Sequence, residues 1–167
     1  MNKYHTFWKR FWAAIIDGII LYPLVFIDTA FDNSNYQALF IIGKFLSTFL
    51  YILYFILLHA KYGQTIGKKL MNIKVIDIAE VNLIGFKRAT IRELPWIIAN
   101  GLIFLYLLKI FFLKNAEPIG IKEKYDDLSF IISFTWLVIE LISMLTNPKR
   151  RAIHDWLANS VVIKTKN

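Results

Sequence analysis

Four apolar blocks decide what this chain can fold into. They cover residues 11–31, 38–59, 95–113 and 128–146. A helix rises 1.5 Å per residue, so about 20 apolar residues cross the ~30 Å hydrocarbon layer of a bilayer. Hydrophobic residues make up 57% of the 167. A soluble core able to bury four such blocks would be too large for a chain of this length. The sequence therefore predicts an all-α membrane protein: a four-transmembrane-helix bundle forming one integral membrane domain over residues 1–167. The first block follows lysines, as in a signal peptide. Its length, the acid Asp17 within it and the lack of a small-x-small cleavage site make it a retained first span.

Charge sets the expected orientation. Lys3, Lys9 and Arg10 precede the first block. Lys61, Lys68, Lys69, Lys74, Lys87, Arg88 and Arg92 lie between the second and third. Lys149, Arg150, Arg151, Lys164 and Lys166 follow the fourth. These are fifteen of the twenty basic residues. On the other side Lys114, Lys122 and Lys124 are balanced by Glu117, Glu123, Asp126 and Asp127. The positive-inside rule then puts both termini and the middle segment in the cytoplasm. Trp8, Trp12, Trp96 and Trp156 fall at that same boundary, as interfacial anchors do. The net charge of +8 reads as topology and contact with anionic lipid headgroups, not as nucleic-acid binding, for which no motif exists. With no cysteine, disulfides, zinc-thiolate sites and haem attachment through cysteine are excluded.

The middle and C-terminal segments predict a small cytoplasmic cap of short helices. Residues 65–72 read as a basic amphipathic helix, 73–77 as a strand, and 85–94 as a helix feeding the third span at Pro95. Asn147 and Pro148 carry N-cap and first-turn signals for another helix. The β-branched run 161–163 is expected to pair with 73–77 as a two-stranded ribbon. "GQTIGKK" at 63–69 lacks phosphate-loop spacing, because only three residues separate Gly63 and Gly67. It reads as a glycine-bounded turn on the membrane surface.

Ionisable groups inside the spans carry the functional expectation, since burying them in lipid is costly. Arg10 and Asp17 share a helix face but stand ~10 Å apart along its axis, too far for a direct bond. Asp17, Asn100 and Glu140 fall at one depth and are expected to form a proton or ion site. Ala14 and Gly18 offer a small-xxx-small seam beside Asp17. Toward the far side, Asp28 and the lysines Lys44 and Lys109 form a second polar set. Asp155 is expected to pair with Arg10 or Arg151. His154–Asp155 has no accompanying nucleophile, so no enzyme activity, metal or cofactor is expected.

"RFWAAIIDGII", "YGQTIGKKLMNIKVID" and "RRAIHDWLANSVVI" together resemble the RDD family of bacterial membrane proteins, from Arg10 to Ile163. The resemblance matches Arg10 to the family arginine and Asp17 and Asp155 to its two aspartates. Asn159–Ser160 stands where the family commonly has Gly-Thr, so Asn159 is expected to hold positive φ, which Asn tolerates better than most residues. The resemblance implies a bacterial cytoplasmic membrane protein with transport as its suggested activity. The expected function is movement of a small ion or solute, as cation/proton exchange at Asp17; a single four-helix subunit leaves little room for a pathway, so a homodimer is expected. The alternative is a non-transporting adaptor that binds lipid or a partner through its basic face.

Overall fold

Pro23 shapes the start of the chain. It has no N–H for the carbonyl of Ile19 and crowds that turn. In the computed structural model, which describes residues 3–32, 37–112 and 118–165, the first apolar block is therefore two helices. They are α1 (Phe7–Leu21) and α2 (Leu24–Asp32), and they meet at a bend of 43°. Tyr22 N donates to Ile19 O at 3.2 Å and Val25 N to Tyr22 O at 2.9 Å, three-residue turns that bridge the break. The straight span expected over 11–31 is thus corrected to a bent pair. The side chains of residues 28, 32, 37, 110 and 118–124 lie outside the description, and so do the Asp28 expectation and that for Lys114 and Glu117.

Three further helices are long and apolar enough to cross a membrane: α3 (Gln37–Tyr62), α5 (Gly85–Phe112) and α6 (Pro118–Leu145). α5 runs through Pro95 without ending there, so the helix expected over 85–94 and the third span are one element. α3 packs along α5. Phe40 and Ile41 meet Ile103 and Leu107, and Tyr125, Leu128 and Ile132 of α6 close over them.

The cap holds α4 (Ile66–Leu70), β1 (Ile73–Asp77), α7 (Ile153–Leu157) and β2 (Ser160–Lys164). β1 and β2 pair antiparallel from Ile73 opposite Lys164 to Asp77 opposite Ser160. An isolated two-stranded ribbon is marginal. This one is fastened to the bundle, since Ile73, Val75 and Val162 are buried against Ala13 of α1, Ala60 of α3 and Ala89 of α5. Asn159 turns the chain into β2 at φ +47°, as expected from its place in the sequence. Asn147 does not start a helix. Its side chain binds Ser143 O, Arg151 O and Arg151 N at 2.6–2.8 Å, a staple across the turn, and the helix begins only at Ile153.

The closest approach in the cap is between α4 and α1. A Cβ on Gly67 would stand 2.2 Å from Ala13 O and 2.9 Å from Asp17 Cγ. The expected Ala14–Gly18 seam is not used. A Cβ on Gly18 would meet nothing within 4 Å, and Ala14 is exposed. The packing face is one residue round the helix, at Ala13 and Asp17, which are both buried. Gly67→Ala is expected to destabilise the fold by about 1–3 kcal/mol, as overpacking a tight contact does, while Gly18→Ala leaves the melting temperature in detergent unchanged.

Candidate functional site

Asp17 is the deepest acid of α1, 1% exposed. Its partners come from α3 and the start of α4. Tyr54 Oη donates to Oδ1 at 2.8 Å, Gly67 N to Oδ1 at 2.8 Å and Thr65 Oγ1 to Oδ2 at 2.5 Å. Thr65 also caps α4, accepting from Lys68 N at 3.2 Å. The carboxylate thus anchors the first turn of α4 from outside.

Asp155 is the second anchor, fully buried on α7. Arg10 Nη1 donates to its Oδ2 at 2.7 Å. Arg92 Nη1 of α5 stands 2.7 Å from Oδ1 as an ion pair. Ala152 N and Ser160 Oγ add further donors at 3.1 and 3.3 Å. Burial alone would raise this acid. The two guanidinium groups outweigh it and hold Asp155 well below the usual carboxylate range. Arg151 binds the Asp155 carbonyl instead, at 2.9 Å. Of the two partners expected for the carboxylate, Arg10 is the one found, and Arg92 joins it.

Around these anchors the fold repeats one motif: a cation, an imidazole and a carboxylate in line. Arg92 Nη2 lies 2.6 Å from His154 Nε2, and His154 Nδ1 lies 2.5 Å from Glu140 Oε1. Lys68 Nζ lies 3.0 Å from His59 Nε2, and His59 Nδ1 lies 3.6 Å from Glu93 Oε1. Arginine and lysine only donate, so each Nε2 accepts. An N–H on Nδ1 of His154 points to Glu140, whereas Nδ1 of His59 has no hydrogen-bond partner among the described residues.

The residues of both lines border one cavity of about 370 Å³, with Arg10, Asp17, Tyr51, Trp96 and Ser133. A second cavity, also about 370 Å³, is lined by Asn100, Ser47, Thr48 and Ser129, and it shares Tyr51, Trp96 and Ser133 with the first. Of the expected layer, Asp17 and Glu140 thus border one space and Asn100 borders the next, its amide donating to Trp96 O at 2.9 Å. The layer does not form as a bonded set, because Asp17 is satisfied from α3 and α4 and Glu140 by His154. On the far side Lys44 Nζ lies 5.1 Å from the centre of the Tyr125 ring, a cation–π contact. No group of three His, Asp or Glu side chains is placed to hold a metal ion among the described residues.

Sequence reasoning missed Arg92, Glu93, His59, Lys68 and His154 as members of this site. His59 carried a usable signal, a lone imidazole at the end of an apolar helix. Arg92 and Glu93 were hidden because Pro95 looked like the start of a span, which put them in the cap.

Two outcomes follow. Asp155→Asn leaves two buried guanidinium groups without a counter-charge and is expected to cost about 3–5 kcal/mol, read as a large drop in melting temperature. Burial, then the like charge of Arg92, lowers the Lys68 ammonium from 10.5 to about 8. Between pH 8 and 10.5 the unfolded chain therefore holds more protons than the folded one, so this lysine's burden on stability is lifted as pH rises through that window. The stability of wild type relative to Lys68→Met is expected to climb from pH 8 to 10.5 and stay flat below 8, in paired melting curves.

The RDD family profile matches residues 4–159, a stretch that holds both anchors and the Arg10–Asp155 bond. A Bacillus subtilis (strain 168) membrane protein, YteJ, is 22% identical over 172 residues, which cover 99% of this chain and 84% of the relative. No solved structure matches. With nearly its whole length matched, this membrane protein belongs to the RDD family.

Proposed function

We propose that the protein moves a small ion or solute across the bacterial cytoplasmic membrane, coupled to protons, with both termini in the cytoplasm. One observation carries this reading: two cavities share Tyr51, Trp96 and Ser133 in their walls, and the first holds both cation–imidazole–carboxylate lines. The cavities offer a route in two halves. Tyr51 and Trp96, with ring centres 6.5 Å apart, stand between them as a gate.

The proton chemistry falls to Glu140 and His154. Asp17 has both oxygens engaged by three donors, so in this reading it holds the frame. Glu140 takes a proton from its cavity, loses its hold on His154 Nδ1, and frees the ring to turn from Arg92. That exchange alters the charge facing the passing ion at the moment the gate must open, as coupling requires. A homodimer fits the small size of a single bundle, and catalysis has no part in the reading.

A second reading keeps the protein as a membrane adaptor. Ile66 and Leu70 of α4 are 45% and 63% exposed beside exposed Lys69, a surface suited to lipid headgroups or a partner. Reconstituted vesicles separate the two. With a pH gradient imposed, wild type is expected to drive sodium or potassium flux, and Glu140→Gln to slow it at least tenfold, as loss of a general acid–base group does (roughly 10²–10⁴ in catalysis). Equal flux in the two proteins sinks the proton role, and none from folded wild type favours the adaptor.

A further inference from the structure

The first cavity is bordered by the outward-facing sides of α1 and α6. Its lining includes Phe11 of α1 and Leu137 of α6, which are 44% and 50% exposed on helices that face hydrocarbon. α1 packs closely on α4, and α6 on α5 and α7. Between α1 and α6 the wall is Phe7, Phe11 and Ala14 on one side and Leu137, Leu141 and Met144 on the other. An apolar mouth thus leads from the bilayer to a charged floor.

Three buried donor atoms of the floor, Arg10 Nη2, Arg92 Nη1 and His59 Nδ1, have no hydrogen-bond partner among the described residues. Arg10 has a side chain 9% exposed, and its buried Nη2 has no hydrogen-bond partner among the described residues. Glu140 gives Oε1 to His154, while its Oε2 makes no hydrogen bond to any described residue. The two groups are neighbours, because Arg10 Nη1 reaches the sulfur of Met144 at 3.4 Å, one turn beyond Glu140 on α6. The charged groups facing this space are Arg10, Arg92 and Lys68 against Asp17, Glu93 and Glu140. Arg10 and Arg92 also pair with Asp155 beneath the floor, so the site offers no surplus of positive charge to a purely anionic ligand. A ligand with an anionic oxygen and an N–H cation on one short scaffold satisfies both ends.

We propose that the cavity seats the head of a phospholipid carrying both a phosphate and a primary ammonium, which enters from the bilayer between α1 and α6. The phosphate lies against Arg10 and the ammonium against Glu140. The volume of about 370 Å³ lies in the range of small-ligand sites, roughly 300–1,000 Å³. It takes a headgroup and leaves the acyl chains in the mouth, along Phe11 and Leu137. A trimethylated head would bring charge but no N–H donor, and a glycerol head would bring no cation. The site therefore distinguishes headgroups by hydrogen bonding as well as by charge.

The test is lipid retention by the full chain, counted by native mass spectrometry after extraction from nanodiscs of mixed phosphatidylethanolamine, phosphatidylcholine and phosphatidylglycerol. One retained phosphatidylethanolamine is expected, favoured roughly tenfold over phosphatidylcholine, as one charge-assisted hydrogen bond provides. Glu140→Gln is expected to keep a bound lipid and lose that preference. Ala14→Trp, at an exposed position, is expected to fill the mouth and lose retention while melting like wild type. Phosphatidylglycerol retained as well as phosphatidylethanolamine overturns the proposal. So does unchanged retention in Ala14→Trp, or free phosphoethanolamine competing as well as the lipid. Retention is read without flux, so a protein that binds the lipid but carries no ion overturns the transport reading and leaves this site standing.

Discussion

Everything in the cap hangs on one carboxylate between two guanidinium groups. Asp155 takes Arg10 from the first helix and Arg92 from α5, so residues from the beginning, middle and end of the sequence meet at one fully buried acid. An ion pair in such a place gains little net stability over a well-packed apolar contact, but losing one partner is severe. Its value is positional. α7 cannot sit elsewhere without stranding a charge, and with α7 fixed, β2 is delivered to β1 in register. The ribbon, too short to hold alone, inherits its place from the ion pair.

Asp17 does a related task one layer away. α4 has five residues, too few to be stable as an isolated helix. Tyr54, Thr65 and Gly67 bind the α1 carboxylate together, which ties the first turn of α4 to the membrane bundle. Lys68 is then carried inward to His59, where its ammonium is half-buried and easier to deprotonate than a surface lysine. The position of the lysine–imidazole line in the cavity is thus set by an acid on another helix.

The sequence made the large features legible because they rest on length and alternation. The apolar blocks located the crossing helices, β-branched runs located both strands, and Asn159 announced a left-handed turn. The Arg10–Asp155 bond was accessible from depth: both residues fall at the same water boundary. Partner choice inside the bundle was not. Depth along a helix follows from counting, but the face a side chain presents depends on how neighbouring helices cross. Counting put Asp17, Asn100 and Glu140 in one layer, yet α4 packs on α1 and claims Asp17, while Asn100 borders a different cavity. Proline misled twice in opposite senses. Pro23 was passed over and bends the chain, whereas Pro95 was read as a boundary and is traversed.

The contact between the chain's two ends has a topological consequence. Lys164 N donates to Lys3 O at 3.0 Å, so the beginning and the end of the described chain share one side of the bilayer. A chain that returns to its starting side has crossed an even number of times. α3, α5 and α6 supply three crossings. If each of the three crosses, parity asks the bent pair α1–α2 for a fourth passage. In that case the break at Pro23 is a kink inside a span, on a chain whose first and last described segments are tied together in the cap.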